Sequence, residues 1–190
     1  SFWDMMWNVA INKADTAQDI VYAALLGGVY RSLNGGTTWS AVRGGNTSAY
    51  SYFTDVAVDD SGVVYATLSS DGPATSRGIW RSTDNATSWT RISTAPFGDS
   101  ICNRIVMGIN PSNNNEIYFL ANTDGIGMPD TNFQGDIEYN ALWRYTFLSG
   151  NGSGSGGQWE DLSANLPTGE QNGPFSDFNA QGSYDLVVAV

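Results

Sequence analysis

The sequence predicts an all-β chain, a β-propeller built of four-stranded antiparallel blades, and three observations carry that expectation. The segments VYRSLNGGTTWSAV (29–42) and IWRSTDNATSWTRI (79–92) repeat with Tyr30 and Trp80, and Trp39 and Trp89, each 50 residues apart. Two short apolar runs precede each of these segments, so one unit holds four strand-like pieces in about 50 residues, close to the ~40–50 of a propeller blade. The composition disfavours helices: of 190 residues 22 are Gly, only 14% are charged, and Lys13 is the sole lysine, so no Glu/Lys/Ala/Leu run exists to build an amphipathic helix.

The first strand of each unit is WNVAIN (7–12), FTDVAVD (53–59) or RIVMGIN (104–110). These runs are nearly all apolar, as expected of innermost strands buried on both faces. The second strand is IVYAAL (20–25), VVYATL (63–68) or IYFLA (117–121), reached through turn-rich links KADTAQD, DSG and PSNNNE. A third unit continues in LWRY (142–145) and GGQWEDL (156–162), with SGNGSGSGG (149–157) read as a long hairpin loop between them. YDLVVAV (184–190) matches a first strand again. The expected blades span 7–43, 53–93 and 104–163, and a fourth opens at 184. One blade cannot bury both faces, whereas blades stacked about an axis can. A three-sheet β-solenoid or a sandwich of similar strands is the competing architecture. Propellers have four or more blades, so the rest of this one is expected from the same or another chain.

The turns between strands three and four follow Ser-x-Asp/Asn-x-Gly/Ala-x-Thr/Ser-Trp. Their residues are Ser32, Asn34, Gly36 and Trp39 in the first copy, and Ser82, Asp84 and Trp89 in the second. Asn34 or Asp84 can accept backbone N–H bonds from two or three residues on, Thr38 or Ser88 can bond back across the loop, and Gly36 supplies a free φ. The Trp then plugs the space between sheets. This pattern resembles the Asp-box (BNR) repeat of sialidases, sortilin-type propellers and xyloglucanase-type glycosidases. Ala86 departs from the usual Gly, and the third copy has lost its Ser and Asp. In those families the box is structural and lies away from the active site. GVYRSLNGGTTW, NEIYFLANT and GQWEDLSANLP also resemble propeller regions of Bacteroidota surface proteins exported by the type IX system. That resemblance implies a secreted bacterial cell-surface location. It also implies O-glycosylation at Asp-Ser/Thr followed by a small or apolar residue, here at Thr16 and Ser100.

Charge and residue types exclude several functions. A net charge of −11 repels phosphate backbones, so nucleic acid is not an expected partner. With no histidine there is no Ser-His-Asp triad and no His-ligated zinc. Cys102 is the sole cysteine and reads as a small buried apolar residue. No run approaches the ~20 apolar residues of a membrane-spanning helix.

Propeller topology sends the long links, 44–52, 69–78, 93–102, 122–140 and 164–183, to one face, where binding loops usually gather. The ligand-binding candidates there are Asp124, Phe133, Asp136, Glu138 and Tyr139, because aromatic rings and carboxylates suit the C–H faces and hydroxyls of sugars. Carboxylates suit Ca²⁺ too, but this run lacks Asp-x-Asp-x-Asp-Gly spacing, so no cofactor is expected. The functional expectation is a non-catalytic extracellular binding or scaffold module that contacts glycan or a surface protein. The alternative is part of a polysaccharide-cleaving propeller hydrolase. Arg31, Arg81 and Arg144 hold equivalent positions in three units and read as structural.

Overall fold

The computed structural model describes residues 2–45, 51–69, 77–93, 102–132, 135–167 and 186–190. Every regular element is a strand or a short 3-10 turn. The first sheet runs in chain order through β1 (Met6–Ile11), β2 (Val21–Leu25), β3 (Gly28–Ser32) and β4 (Ser40–Gly44). The second does the same with β5 (Thr54–Val58), β6 (Val64–Leu68), β7 (Gly78–Ser82) and β8 (Thr90–Arg91). The third holds β9 (Cys102–Ile109), β10 (Glu116–Thr123), β11 (Met128–Thr131), β12 (Ile137–Phe147) and β13 (Gly157–Asp161). All ladders are antiparallel. The sheets make a propeller-like, all-antiparallel stack, and the third departs from the expected four strands by adding β11 as a fifth.

The turns between first and second strands are set by one residue type. Asn12, Asp59 and Asn110 each end a first strand. Asn12 Oδ1 accepts from Ala14 N at 3.0 Å, Asp59 Oδ1 from Ser61 N at 2.8 Å, and Asn110 Oδ1 from Ser112 N at 2.9 Å. This is the Asx turn that Asn and Asp favour.

Strand periodicity decides which core each side chain enters. Val64 and Ala66 of β6 point toward the first blade and join Ile20, Tyr22, Ala24 and Val29. Tyr65 lies on the opposite face of the same strand and joins Ile105, Met107, Ile117, Phe119 and Tyr145 of the third blade. Thr67, on that face too, donates its hydroxyl to Ile105 O at 2.8 Å. The middle sheet is thus buried on both faces, and each large apolar side chain in these layers contributes roughly 1.5–3 kcal/mol.

Two expectations need correction. β1 is not buried on both faces: Val9 is 48% and Ile11 57% exposed, whereas Val56 and Met107, which hold the place of Val9 in the other blades, are 1% and 7% exposed. No described sheet packs over the inner part of that face. Trp3 reaches its outer part, with its ring centroid 5.5 Å from Tyr30 and 5.3 Å from Trp39. The second correction concerns 122–140, which reads as a long loop in sequence. The ladder instead carries β10 and β12 outward to Thr123 opposite Tyr139, and β11 pairs the extension. The Gly/Ser run 149–157 is a hairpin loop, closed where Tyr145 OH donates to Gly152 O at 2.7 Å. Residues 186–190 make no ladder, but Leu186 packs with Val106, Leu120 and Leu166.

Candidate functional site

The two Trp-ending turns share one geometry. Ser32 Oγ accepts from Gly36 N at 2.8 Å, and Ser82 Oγ accepts from Ala86 N at 3.0 Å. Asn34 Oδ1 accepts from Thr38 N at 2.9 Å, and Asp84 Oδ1 from Ser88 N at 2.9 Å and Thr87 N at 3.1 Å. The shorter of these bonds therefore reach four residues on, one residue further than the expected Asx bond, which Thr87 N makes as well. Thr38 and Ser88 do bond back, Asn34 Nδ2 donating to Thr38 Oγ1 and Ser88 Oγ to Asp84 Oδ2. Ala86 takes φ +63° where Gly36 takes +93°, so the departure from Gly keeps the left-handed backbone. Its methyl, 2% exposed, joins the core between the first two blades, which compensates the strain.

The Ser88 hydroxyl and backbone hold the Asp84 carboxyl down at about 2. A depressed carboxyl stabilises the fold above its unfolded value of ~3.9 and loses that contribution as pH falls through its folded value. Asp84→Asn is expected to flatten this acid limb. Melting temperatures between about pH 2 and 4 check it, and an unchanged limb would refute the assignment.

These turns also join neighbouring blades, which sequence alone does not show. Arg31 donates to Asn85 O and, at 3.3 Å, to Thr87 Oγ1 in the next blade's turn. Arg81 places its guanidinium 4.2 Å from the Phe147 ring centroid of the third blade. Trp89 Nε1 donates back to Val42 O at 3.1 Å, and Trp159 Nε1 to Ile92 O at 3.2 Å. The acceptor sits three residues past the preceding blade's Trp in both cases. Trp39 instead donates to Gly36 O in its own turn, at 2.9 Å. Arg144 pairs within its own blade with Glu160.

A cleft of about 220 Å³ opens where the three innermost strands begin; Trp7, Thr54, Asp55, Arg104 and Leu186 are among its lining residues. Trp7 and Phe53 stack at 5.1 Å and 48°, and Trp7 Nε1 is oriented by Tyr52 O at 2.9 Å. The Arg104 guanidinium lies 5.1 Å from the Trp7 ring and 5.6 Å from Phe53. Beneath them is Asp55, 5% exposed. Its Oδ1 accepts from Asn8 Nδ2 of the first blade at 2.7 Å and from Val56 N at 2.9 Å, and its Oδ2 accepts from Met107 N of the third blade at 2.9 Å. Burial pushes its pKa up, while these bonds oppose the rise. Asp55 ties three blades at the axis. These residues were missed as site candidates. The available signal is polar and aromatic residues, Trp7, Asp55 and Arg104, within otherwise apolar innermost strands.

The expected rim residues do not form one cluster. Asp124 is exposed in the turn after β10. Asp136 sits in the β11–β12 turn, where its N donates to Asn132 Oδ1 at 2.9 Å, and Glu138 Oε1 accepts from Asn132 Nδ2 at 2.9 Å. Tyr139 pairs on the ladder with Thr123 and Pro129. Phe133 and Ser100 lie outside the described residues, and Thr16 is exposed in the first turn. Because Arg104 pairs with Asn122 at the outer end of β9, the β11–β12 hairpin stands at the same end of the sheets as the cleft. Among the described residues no group of three acidic or thiol side chains is placed to hold a metal. Burial pushes the Cys102 thiol up to about 12, which leaves it without thiolate character.

The chain is similar in structure to an ancestral GH74 enzyme, with TM-score 0.53 and 19% identity over 83% of this chain and 19% of that one. It is also similar to the GH74 enzyme of Niastella koreensis, with TM-score 0.51 and 19% identity over 83% of this chain and 22% of that one. The chain spans about a fifth of the length of each. No family model and no curated protein matches the sequence. At this identity the likeness shows the fold: an all-β, propeller-like chain of antiparallel sheets. No helix among the described residues is long and apolar enough to cross a membrane.

Proposed function

We propose that the chain is part of an extracellular propeller module that holds carbohydrate in the inner-strand cleft without cleaving it. The observation that carries this reading is the Trp7–Phe53 pair with Arg104 beside it at the cleft mouth. Aromatic faces take the C–H faces of a sugar, and an Arg guanidinium supplies donors for its hydroxyls. The β11–β12 hairpin, with Asp136, Glu138 and Tyr139, and the turn before it, with Asp124, stand at the same end of the sheets. Glycoside cleavage requires two carboxylates ~5–10 Å apart. Asp55 is the one carboxylate among the described lining residues, and both its oxygens already tie strands together. We read the 32–39 and 82–89 turns as Asp-boxes, the location as a bacterial cell surface, and Thr16 and Ser100 as O-glycan acceptors that peptide mass spectrometry of natively produced protein would detect.

The similarity to GH74 enzymes favours a second reading, in which the chain is a portion of a polysaccharide-cleaving hydrolase. One experiment separates the two. Neutral oligosaccharides are titrated calorimetrically into the chain and into Trp7→Ala, and reducing-end release from polysaccharides is followed in parallel. Binding weakened roughly tenfold or more by Trp7→Ala, without release, is expected from lost stacking. Any turnover would establish the hydrolase reading, and binding indifferent to Trp7→Ala would remove the cleft as the site.

A further inference from the structure

The outer rim of the first blade junction brings two arginines together from different sheets. Arg43 of β4 pairs on its ladder with Val29, whose side chain enters the core between the first two blades. Residues directly opposite on a ladder share a face, so Arg43 points across the junction. Its guanidinium carbon lies 3.3 Å from the ring centroid of Trp80 in β7. Trp80 packs against the same core and pairs on its ladder with Arg91 of β8, which places Arg91 on that face too. Val42 O, one residue before Arg43, receives Trp89 Nε1 at 3.1 Å and so fixes β4 against the second blade. Both arginines are half-buried, within reach of a small solute.

The two side chains are held in position but their charge is not balanced locally. Trp80 takes the face of the Arg43 guanidinium. Ser93 Oγ accepts from Arg91 Nε at 2.9 Å. Gly78 leaves Arg91 its place, since a Cβ built there would meet Nε at 2.7 Å and Nη2 at 3.2 Å. Among the described residues no carboxylate pairs with Arg43, and its buried Nε has no acceptor. Burial, and then the charge of Arg91, lower the Arg43 pKa to about 10, so it stays cationic at neutral pH beside a like charge. From this geometry we infer that Arg43, Arg91 and Trp80 form an oxyanion site at the rim of the first two blades, which takes a sulfate or phosphate group. A planar carboxylate offers two oxygens to a single guanidinium fork. Two forks reaching in from separate sheets are matched by a tetrahedral group, whose oxygens point in several directions. The same group can come as the free anion or as an ester on a sugar. The site is separate from the inner-strand cleft and does not depend on carbohydrate binding there.

The test is calorimetric titration of sodium sulfate into the whole chain, with ionic strength held constant by chloride. One site is expected, and acetate should bind to it roughly tenfold or more weakly. Arg43→Gln and Arg91→Gln should each weaken sulfate binding roughly tenfold or more, because each removes one charged fork. Near-ultraviolet circular dichroism checks that both variants keep the parent fold. If Arg43→Gln disturbs Trp80, Arg91→Gln still tests the site, because it leaves the Arg43–Trp80 stack in place. Glucose 6-sulfate separates the two sources. Tighter binding than free sulfate supports the site as a reader of esterified sugar, and weaker binding supports it as a site for the free anion. Absence of sulfate binding to the parent would overturn the inference. So would binding indifferent to both substitutions, or acetate bound as tightly as sulfate.

Discussion

Asp55→Ala is expected to lower stability by about 3–5 kcal/mol, because it leaves three N–H donors at a buried site without their acceptor. The Asn8 amide and the Val56 and Met107 N–H groups all lose their acceptor at once, and these belong to all three blades. For a chain of this length that corresponds to a fall in melting temperature on the order of 10 °C. Asp55→Asn should cost less, about 1–3 kcal/mol, because its amide oxygen keeps one acceptor site while its NH₂ meets a donor. The pH dependence carries the specific signature. Burial raises the Asp55 pKa, so the folded chain favours the protonated acid. A raised carboxyl contributes stability fully below its unfolded value of ~3.9 and loses it as pH rises through the folded value. The deficit of Asp55→Asn relative to the parent should therefore be largest in acid and shrink toward neutrality. This window lies above the one set by Asp84, whose contribution is lost as pH falls from the ordinary carboxylate range toward about 2. Urea titrations of parent and variant across both windows check the sign. A deficit that grows with pH would show that Asp55 favours its charged form.

Trp89→Ala should cost about 3–5 kcal/mol, as expected for a large aromatic cut out of a packed layer. Trp89 packs against the core between the first two blades and donates to Val42 O across the junction. Trp39→Ala, made at the equivalent place in the first blade, should cost only about 1 kcal/mol, in line with an exposed-side aromatic contact. There the indole meets Trp3 and its own turn rather than another sheet. The comparison is made by denaturant unfolding. Equal losses would mean that the Trp acts within its hairpin alone and contributes nothing between blades.

The antiparallel strand order was legible because the repeat puts the same chemistry at the same place in successive units. Asn12, Asp59 and Asn110 close the first turns, and the alternation in VVYATL assigns Val64 and Tyr65 to opposite cores. The Ser-x-Asp/Asn turn was legible as a local hydrogen-bonded loop, since its partners lie within seven residues of sequence. Its bridging role was not, because Asn85 O meets Arg31 and Trp89 meets Val42 only after two sheets stack. The hairpin at 128–140 was read as a loop because Pro129, Gly135 and the Asp and Asn residues interrupt any apolar alternation there, and tertiary pairing with β10 overrides that propensity.

What the sequence by itself determined is therefore everything periodic: strands, turns, and the alternation that divides each strand between two layers. What only the tertiary structure decided is where unlike positions of different blades converge. Trp7, Phe53, Asp55 and Arg104 meet where the first strands of the three sheets begin, although the repeat gives each a different residue at its place. The burial of Val56 against the exposure of Val9 depends on whether another sheet lies alongside. Local chemistry repeats with the chain, whereas a cleft and an open face arise from contacts between blades that no single repeat encodes.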